Sequence, residues 1–266
     1  MTNSKYLQNI NAIEDLETPT AIIFDWDNTL VDTWPIIQKA IDNTMISMKR
    51  APWGLEKVRD NVHKSMRESF PAIFGTDWEK AGEIYKREYQ NNAKGIRLLP
   101  LALDLLELLS RKNILSLVVS NKIGSSLRKE VSALNLDNMF VKVVGAQDAI
   151  FDKPYPHPAK MAIEDFTEIV KNKNIWFIGD TIADIECAYY CKMQPILFTN
   201  TLDSISKTIP QTLLESTNFT ADFKKIAHYP EFIPAETATE ITTGSQGFCK
   251  YLPIICGYEK LINKLS

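Results

Sequence analysis

Short runs of apolar residues recur along much of the chain and predict buried β-strands. The first run, at residues 20–24, is a threonine followed by Ala, two Ile and Phe. Comparable runs occur at residues 115–120, 141–144, 174–179 and 195–198. Uninterrupted apolar runs of this length are typical of interior strands in a parallel sheet, which helices cover on both faces. The pattern therefore predicts five strands of one sheet.

Between these strands, apolar residues follow the three-to-four-residue spacing of amphipathic helices. Residues 98–111 carry many leucines with charged residues between them, and residues 125–136 repeat the pattern with Leu127, Val131 and Leu134. Strands that alternate with helices imply right-handed crossovers between parallel strands. The sequence therefore predicts an α/β fold with a doubly wound, Rossmann-like parallel sheet.

The interval between the first two predicted strands is much longer than one crossover helix. It is rich in helix formers and shows no strand-like alternation. We therefore predict an inserted small helical domain at residues 32–97 and an α/β core made of residues 1–31 and 98–266. Residues 205–266 form a C-terminal extension to which we assign no function, although its last helix-like stretch can pack back on the core.

The composition is that of a globular protein and narrows the choice of partners. Hydrophobic residues make up 45% of the 266 positions, and 30 basic residues nearly balance 33 acidic ones. This balance gives no reason to expect nucleic acid or a membrane surface as a partner. We find no secretory signal, no membrane-spanning stretch and no CxxC pair among the four cysteines. We therefore expect a cytoplasmic protein, and we predict no particular oligomeric state.

Polar side chains follow the predicted strands at the points where the strands end. They are Asp25, Asp27 and Thr29 after the first strand, Ser120 and Asn121 after the second, Lys153 in the loop beyond the third, and Asp180 and Asp184 after the fourth. The carboxyl ends of parallel strands meet at one edge of the sheet, where ligands bind at the switch point. We therefore expect these side chains to form a single site.

Several carboxylates and a lysine at one site favour the chemistry of phosphate esters. Carboxylates this close repel one another unless a cation lies between them, and hard oxygen ligands favour Mg²⁺. Lys153 adds positive charge, while the Ser120 hydroxyl and the Asn121 amide can donate hydrogen bonds to phosphate oxygens. Asp25 could then attack phosphorus, and Asp27 would serve first as general acid and then as general base.

The motifs DWDNT, SN, K and GDTIAD, in this order and spacing over about residues 20–200, resemble the four motifs of the haloacid dehalogenase (HAD) superfamily. The resemblance implies that Asp25 is the nucleophile, that Asp27 is the acid/base and that Lys153 is also catalytic. It implies substrate contacts from Thr29, Ser120 and Asn121, and Mg²⁺ ligands from Asp25, Asp27, Asp180 and Asp184. The ligand atom of Asp27 would be its backbone carbonyl oxygen.

The helical insert resembles the C1 cap of the phosphoglycolate phosphatase-like branch of this superfamily. Such a cap closes over the substrate, excludes water and selects the leaving group. Residues 61–67 (NVHKSMR) are our candidate for the cap segment that faces the substrate. The resemblance implies a Mg²⁺-dependent phosphatase that hydrolyses a small phosphorylated metabolite, such as phosphoglycolate, through an aspartyl-phosphate.

Two other functions stay open at this point. A sugar phosphomutase would share every motif and return the phosphoryl group to its substrate, and a non-catalytic protein could use the scaffold to sense phosphate or bind a partner.

Three positions depart from the family pattern. Asn28 stands where glycine is frequent, Trp26 is bulkier than the usual aliphatic residue, and His157 stands where many relatives carry an acid. We expect little effect from Asn28, which tolerates unusual backbone angles, whereas Trp26 and His157 bear on the substrate more than on the chemistry.

Overall fold

A six-stranded parallel sheet forms the centre of the protein. The computed structural model describes residues 7–62, 65–166, 174–200 and 252–266. In spatial order the strands are β5 (Lys142–Ala146), β4 (Leu115–Ile123), β1 (Ala21–Phe24), β6 (Ile175–Gly179), β7 (Gln194–Thr199) and β8 (Ile254–Cys256). The chain builds one side of the sheet from β1 and then returns to build the other, so the strand order reverses beside β1. The predicted doubly wound sheet is confirmed.

The central strand shows why its sequence is apolar throughout. All four residues of β1 have 0% exposed surface. Ile22 and Phe24 belong to the hydrophobic cluster on one face of the sheet, whereas Ala21 and Ile23 belong to the cluster on the other face. Successive strand residues point to opposite faces, so a strand covered on both sides must be apolar at every position.

The helical insert lies between β1 and β4. In chain order the first elements outside the sheet are α1 (Leu7–Asn11), β2 (Val31–Asp32), α2 (Trp34–Ser47), α3 (Gly54–Asn61), α4 (Met66–Phe74), α5 (Trp78–Asn92) and β3 (Arg97–Leu98). At the base of the insert, β2 and β3 pair antiparallel, with Val31 opposite Leu98 and Asp32 opposite Arg97. This short ribbon joins the insert to the sheet domain by two adjacent chain segments.

Helices cover both faces of the sheet. Within the described residues, the helices after β3 are α6 (Ala102–Arg111), α7 (Gly124–Ala133), α8 (His157–Ile163), α9 (Ile182–Tyr190) and α10 (Glu259–Leu265). Short 3-10 turns occur at Ala12–Asp15, Gly75–Asp77, Ala93–Gly95, Asp137–Met139 and Glu164–Phe166. The helix predicted from residue 98 begins only at Ala102, because Leu101 has a left-handed backbone with φ 64°. Within the described ranges, no helix combines the length and the apolar character needed to cross a membrane.

The described end of the C-terminal extension packs on the core. Strand β8 pairs with β7, with Ile254 opposite Leu197, and becomes the last strand of the sheet. Leu261 and Leu265 of α10 are buried in the same cluster as the leucines of α6. The rest of the extension, residues 205–251, lies outside the described residues.

Candidate active site

Loops from four strand ends meet around one cavity of about 140 Å³ beneath the helical insert. Six of the predicted site residues line this cavity, namely Asp25, Asp27, Ser120, Asn121, Lys153 and Asp180. They come from the ends of β1 and β4, the loop after β5 and the end of β6. The carboxyl edge of the sheet therefore brings together side chains that are far apart in the sequence.

Lys153 lies at the buried end of this site. Its side chain is 2% exposed, and its Nζ lies 2.6 Å from Asp25 Oδ1, 2.6 Å from Asp184 Oδ1 and 2.8 Å from the Val119 carbonyl oxygen. Burial alone would lower the pKa of Lys153, but the attraction of Asp184 and Asp25 outweighs it and raises that pKa above its usual range. Lys153 is therefore charged and offsets part of the charge of two carboxylates.

Three carboxylates crowd together next to this lysine. One oxygen from each of Asp25, Asp180 and Asp184 lies within 4.8 Å of the others. Burial, with repulsion from Asp184 and Asp27, raises the pKa of Asp25 to about 7 against the attraction of Lys153. Burial and the repulsion of Asp25 and Asp184 also raise the pKa of Asp180 well above its usual range. Clustered carboxylate oxygens are the ligands that Mg²⁺ takes in proteins, so the residues present fit a divalent cation.

Without a divalent cation, the protein is expected to lose stability as the pH rises. The pKa of Asp25 is about 7 in the folded protein, against about 4 for an unfolded aspartate. Between these values the folded state binds more protons than the unfolded state, so stability falls through this window, by up to about 4 kcal/mol for Asp25 alone. Thermal unfolding in EDTA and in Mg²⁺ measures the effect: Mg²⁺ should raise Tm more at pH 8 than at pH 5.

The Asp180→Asn variant is the control for this experiment, because it removes one carboxylate of the cluster and keeps its shape. We expect the variant in EDTA to be more stable than the unsubstituted protein at pH 8 and to respond less to Mg²⁺. An equal response to Mg²⁺ at both pH values, or an undiminished response in the variant, would contradict a cation site at this cluster.

The start of α9 places Asp184 against the end of β6. The backbone N–H and the hydroxyl of Thr181 donate to Asp184 Oδ2 at 3.0 and 2.7 Å, in a capping box at the helix N-terminus. Gly179 leaves room for this carboxyl group, because a Cβ at that position would lie 2.3 Å from Asp184 Cγ. The GDTIAD motif therefore holds the Asp184 carboxylate where Lys153 reaches it.

The loop that carries the two aspartates is held by its own backbone and by Asn28. The Asp25 N–H donates to the Ile178 carbonyl at 2.8 Å, which fixes the end of β1 against β6. Asn28 has a left-handed backbone with φ 60°, a conformation that asparagine adopts more readily than most residues. Its Oδ1 accepts from the N–H groups of Thr33 and Trp34 at 3.2 and 3.0 Å. Asn28 thus ties the aspartate loop to the start of the insert.

Two predicted substrate contacts have other surroundings in the structure. Thr29 is fully buried and does not line the cavity, because the chain turns at Asn28 and directs this side chain inward; its Oγ1 has no hydrogen-bond partner among the described residues. Asn121 lines the cavity, but its Oδ1 accepts from the Lys153 N–H at 2.9 Å and its Nδ2 donates to the Lys153 carbonyl at 3.0 Å. Thr29 therefore lies outside the cavity lining, and the Asn121 amide is hydrogen-bonded to the backbone of Lys153.

Sequence reasoning missed Lys122, which contacts Asp27 directly. The Lys122 Nζ lies 2.7 Å from Asp27 Oδ1, 2.6 Å from Glu130 Oε2 and 2.7 Å from the Tyr89 hydroxyl of α5. Glu130 Oε2 also accepts from the Trp26 indole N–H at 2.8 Å, so the bulky residue between the aspartates orients this network. The place of Lys122 directly after Ser120 and Asn121 at a strand end was a usable signal, whereas that of Glu130, within a helix, was not.

Sequence reasoning also missed Tyr258, which follows β8 in the C-terminal extension. Its side chain is 1% exposed, and its hydroxyl donates to the Thr29 carbonyl oxygen at 2.6 Å. Its ring packs against Phe198 of β7, with the ring centroids 4.7 Å apart. The last described segment of the chain therefore contacts the aspartate loop through the hydrogen bond to the Thr29 carbonyl oxygen.

Removing the Tyr258 hydroxyl is expected to slow the reaction without weakening substrate binding. The Tyr258→Phe variant leaves the buried Thr29 carbonyl without its donor, at a cost of about 1–3 kcal/mol in the free energy of unfolding. We expect kcat to fall several-fold and KM to stay nearly constant, because the loop carries Asp25 and Asp27, which are the predicted catalytic residues. The matched control is Lys260→Met, which removes a 2.7 Å hydrogen bond from the same segment to the Ile10 carbonyl. If both variants lose only stability, Tyr258 has no positioning role.

The segment proposed to face the substrate divides into parts with different surroundings. Val62 and Met66 line the cavity. Arg67 instead forms a two-point ion pair with the buried Asp152 of the sheet domain, at 2.6 and 2.7 Å. Residues 63 and 64 lie outside the described residues. The ion pair links the insert to the residue that precedes Lys153.

Comparisons with known proteins give a consistent picture. The family model described as haloacid dehalogenase-like hydrolase matches residues 22–198. A phosphoglycolate phosphatase of Pseudomonas fluorescens (strain Pf0-1) is 23% identical over 182 residues, which cover 65% of this chain and 66% of that protein. A phosphoglycolate phosphatase of Aquifex aeolicus (strain VF5) is 28% identical over 62% of this chain and 78% of that protein.

The fold comparison agrees with these matches. The crystal structure of a predicted phosphoglycolate phosphatase from Haemophilus somnus 129pt superposes with a TM-score of 0.60 at 20% identity, over 69% of this chain and 87% of that chain. The match to the Pseudomonas fluorescens protein spans just under two thirds of that relative's length. At this identity the solved structure supports the fold alone.

Proposed function

Since the chain belongs to the haloacid dehalogenase-like hydrolase family, we propose that it is a phosphatase that hydrolyses a small phosphomonoester through an aspartyl-phosphate at Asp25. The observation that carries this proposal is the position of Asp25. Its carboxylate lines the cavity, contacts Lys153 at 2.6 Å and forms one corner of the acidic cluster with Asp180 and Asp184. A nucleophilic carboxylate, a buried cation and a metal-binding cluster are together what transfer of a phosphoryl group requires.

Asp25 and Asp27 have separate tasks in this mechanism. A carboxylate oxygen of Asp25 forms a bond to phosphorus while the bond from phosphorus to the ester oxygen breaks, and Asp27 gives its proton to the departing alkoxide. In the second half, Asp27 takes a proton from water, whose oxygen bonds to phosphorus as the aspartyl-phosphate bond breaks. Lys122 contacts Asp27 Oδ1 at 2.7 Å and so fixes the position of the carboxyl group that would make both transfers.

The remaining charges of the site act on the phosphoryl group. The Lys153 ammonium would offset its negative charge, and the Ser120 hydroxyl, which accepts from the Lys122 N–H at 3.2 Å, can donate its own hydrogen to a phosphoryl oxygen. Asp25, Asp180 and Asp184 would hold Mg²⁺, with the Asp27 backbone carbonyl as a further ligand by family resemblance. When bound, Mg²⁺ would neutralise charge on the phosphoryl oxygens and favour the ionised form of Asp25.

We also propose that residues 32–97 act as a cap over this site. The cavity lies between the sheet edge and the helices α2, α4 and α5, so the insert covers the place where the ester would bind. Closure of such a cover keeps bulk water from the aspartyl-phosphate and shapes the space for the leaving group.

A panel of phosphomonoesters tests the proposed function. We expect release of inorganic phosphate from at least one ester in Mg²⁺ and its loss in EDTA. The names of the relatives make 2-phosphoglycolate one member of the panel; hexose phosphates, alkyl phosphates and aryl phosphates are the others. Isomerisation of a hexose phosphate without net phosphate release would instead show a phosphomutase. Saturable binding of one ester without cleavage of any would show a phosphate-binding protein.

A further inference from the structure

The part of the cavity that the insert contributes is mainly apolar. Six side chains of the insert that line the cavity are Ile37, Ile41, Val62, Met66, Phe70 and Tyr85. They come from α2, the end of α3, α4 and α5, and they enclose the space beyond the acidic cluster. Since the phosphoryl group must lie against Asp25 and Lys153, the alcohol part of the ester would lie among these side chains.

Each described lysine that lines the cavity already has a carboxylate partner. Lys153 binds Asp25 and Asp184 at the phosphoryl end. Lys86 pairs with Glu83 at 3.0 Å in an exposed pair on the insert. The third lysine, Lys122, is the one nearest to the proposed leaving group, because it contacts the general acid Asp27.

Lys122 has no hydrogen-bonding capacity left for a substrate. An ammonium group has three donors, and those of Lys122 are taken by Asp27 at 2.7 Å, Glu130 at 2.6 Å and the Tyr89 hydroxyl at 2.7 Å. Its side chain is 8% exposed, and that of Glu130 is also 8% exposed, so solvent screens this group of charges little. Two carboxylates surround this one ammonium, so within the described part of the chain Lys122 offers no free donor to a further anion.

We infer that the substrate is a phosphomonoester whose alcohol part is uncharged and largely apolar. The inference rests on the proposed phosphatase activity and specifies its substrate class. A carboxylate or second phosphate on the alcohol part would be buried among apolar side chains, and it could bind Lys122 only by displacing Asp27, Glu130 or Tyr89. Burial of an unpaired charge is strongly unfavourable, whereas an alkyl or aryl group gains free energy from the same wall.

Three esters separate charge from size in a steady-state assay of phosphate release with Mg²⁺. Propyl phosphate and 2-phosphoglycolate are similar in length, but only 2-phosphoglycolate carries a carboxylate on its alcohol part. Benzyl phosphate has an uncharged alcohol part with a larger apolar surface. We expect kcat/KM for the propyl and benzyl esters to exceed that for 2-phosphoglycolate by at least about tenfold. Glycolate is no poorer a leaving group than propanol, so intrinsic reactivity does not produce this order.

Two variants test the cause of the preference. Glu130→Gln removes one of the two carboxylates around Lys122, and Met66→Lys places an ammonium group on the apolar wall. Both should raise the ratio of kcat/KM for 2-phosphoglycolate to that for propyl phosphate by about fivefold or more. The ratio cancels any common effect on Asp25 or Asp27. The matched control is Glu107→Gln, which makes the same change in an exposed pair with Arg111 and should leave the ratio unchanged.

The outcomes distinguish the inference from the function on which it rests. If the protein releases phosphate and prefers 2-phosphoglycolate to both the propyl and the benzyl ester, the inference is overturned and the phosphatase proposal stands. A ratio that neither Glu130→Gln nor Met66→Lys changes also overturns the charge argument. If no ester is cleaved, the proposed function fails, and the inference fails with it.

Discussion

The Asp25→Asn variant is expected to lose phosphate release by about 10⁴-fold or more, since loss of a nucleophile removes the covalent route entirely. The amide has the shape of the carboxyl group but cannot form the bond to phosphorus. The folded protein should tolerate the change, because burial and neighbouring acids already raise the pKa of Asp25 to about 7 and so disfavour its charged form. Steady-state release of phosphate and thermal unfolding, measured on the same sample, test both statements.

An exposed carboxylate provides the control for this variant. Asp165 pairs with Lys142 on the surface, and the Asp165→Asn variant makes the same chemical change away from the cavity. We expect it to retain full activity. Full activity in Asp25→Asn on every ester that the parent protein cleaves would contradict the proposed mechanism. If the variant loses activity and its Tm also drops strongly, the loss of activity would be explained by unfolding and not by the missing nucleophile.

Replacing Lys153 with Met is expected to have the largest effect on stability and to abolish most of the activity as well. The change leaves Asp25 and Asp184 buried without the ammonium that each contacts at 2.6 Å. Breaking a buried ion pair in this way costs about 3–5 kcal/mol. Because the carboxylates left behind favour their protonated forms, the variant should lose most stability at high pH and less at pH 5, which urea unfolding at both pH values measures.

The matched control is Lys142→Met, which removes a lysine whose side chain is 30% exposed and whose partners are on the surface. We expect it to change the free energy of unfolding by less than about 1 kcal/mol. Addition of Mg²⁺ should restore part of the stability lost in Lys153→Met. A variant as stable as the parent protein at pH 8 would contradict the charge balance described for this site.

Much of the fold could be predicted from the sequence, because a strand that is buried on both faces has apolar residues at every position. Residues 20–24 read as an apolar run, and β1 is buried at each of its four positions. The edge strand β8 was missed because it has only three residues, Ile254–Cys256, and follows a long segment without clear periodicity. Its place beside β7 depends on pairing across more than fifty residues of chain, which no local pattern reports.

The site could be predicted where a residue's place follows from the strand that it ends. Asp25, Ser120 and Asp180 meet because parallel strands end at one edge, and this rule needs no side-chain geometry. It cannot tell whether a given side chain turns toward the cavity, and Thr29, at the same strand end, is buried away from the cavity lining. It also cannot find Tyr258, which reaches the loop from the opposite end of the sequence.

The surroundings of Lys122 show a further limit. Its neighbours Asp27, Tyr89 and Glu130 come from the first loop, the insert and a helix of the core. Asp27 belongs to a recognised motif, but Tyr89 and Glu130 read as ordinary polar residues in the sequence, and only packing shows that one ammonium group contacts all three. The charge of the space around the leaving group, and hence the substrate class, depends on such contacts.

The most direct test of the covalent mechanism is to identify the residue that carries the phosphoryl group during turnover. The protein is mixed with its best ester from the panel, quenched in acid and reduced with borohydride, which converts an aspartyl-phosphate to homoserine. Peptide mass spectrometry then locates the modified residue. We predict homoserine at position 25, at no other aspartate, and none in Asp25→Asn; modification of a different aspartate, with residue 25 unchanged, would contradict the mechanism.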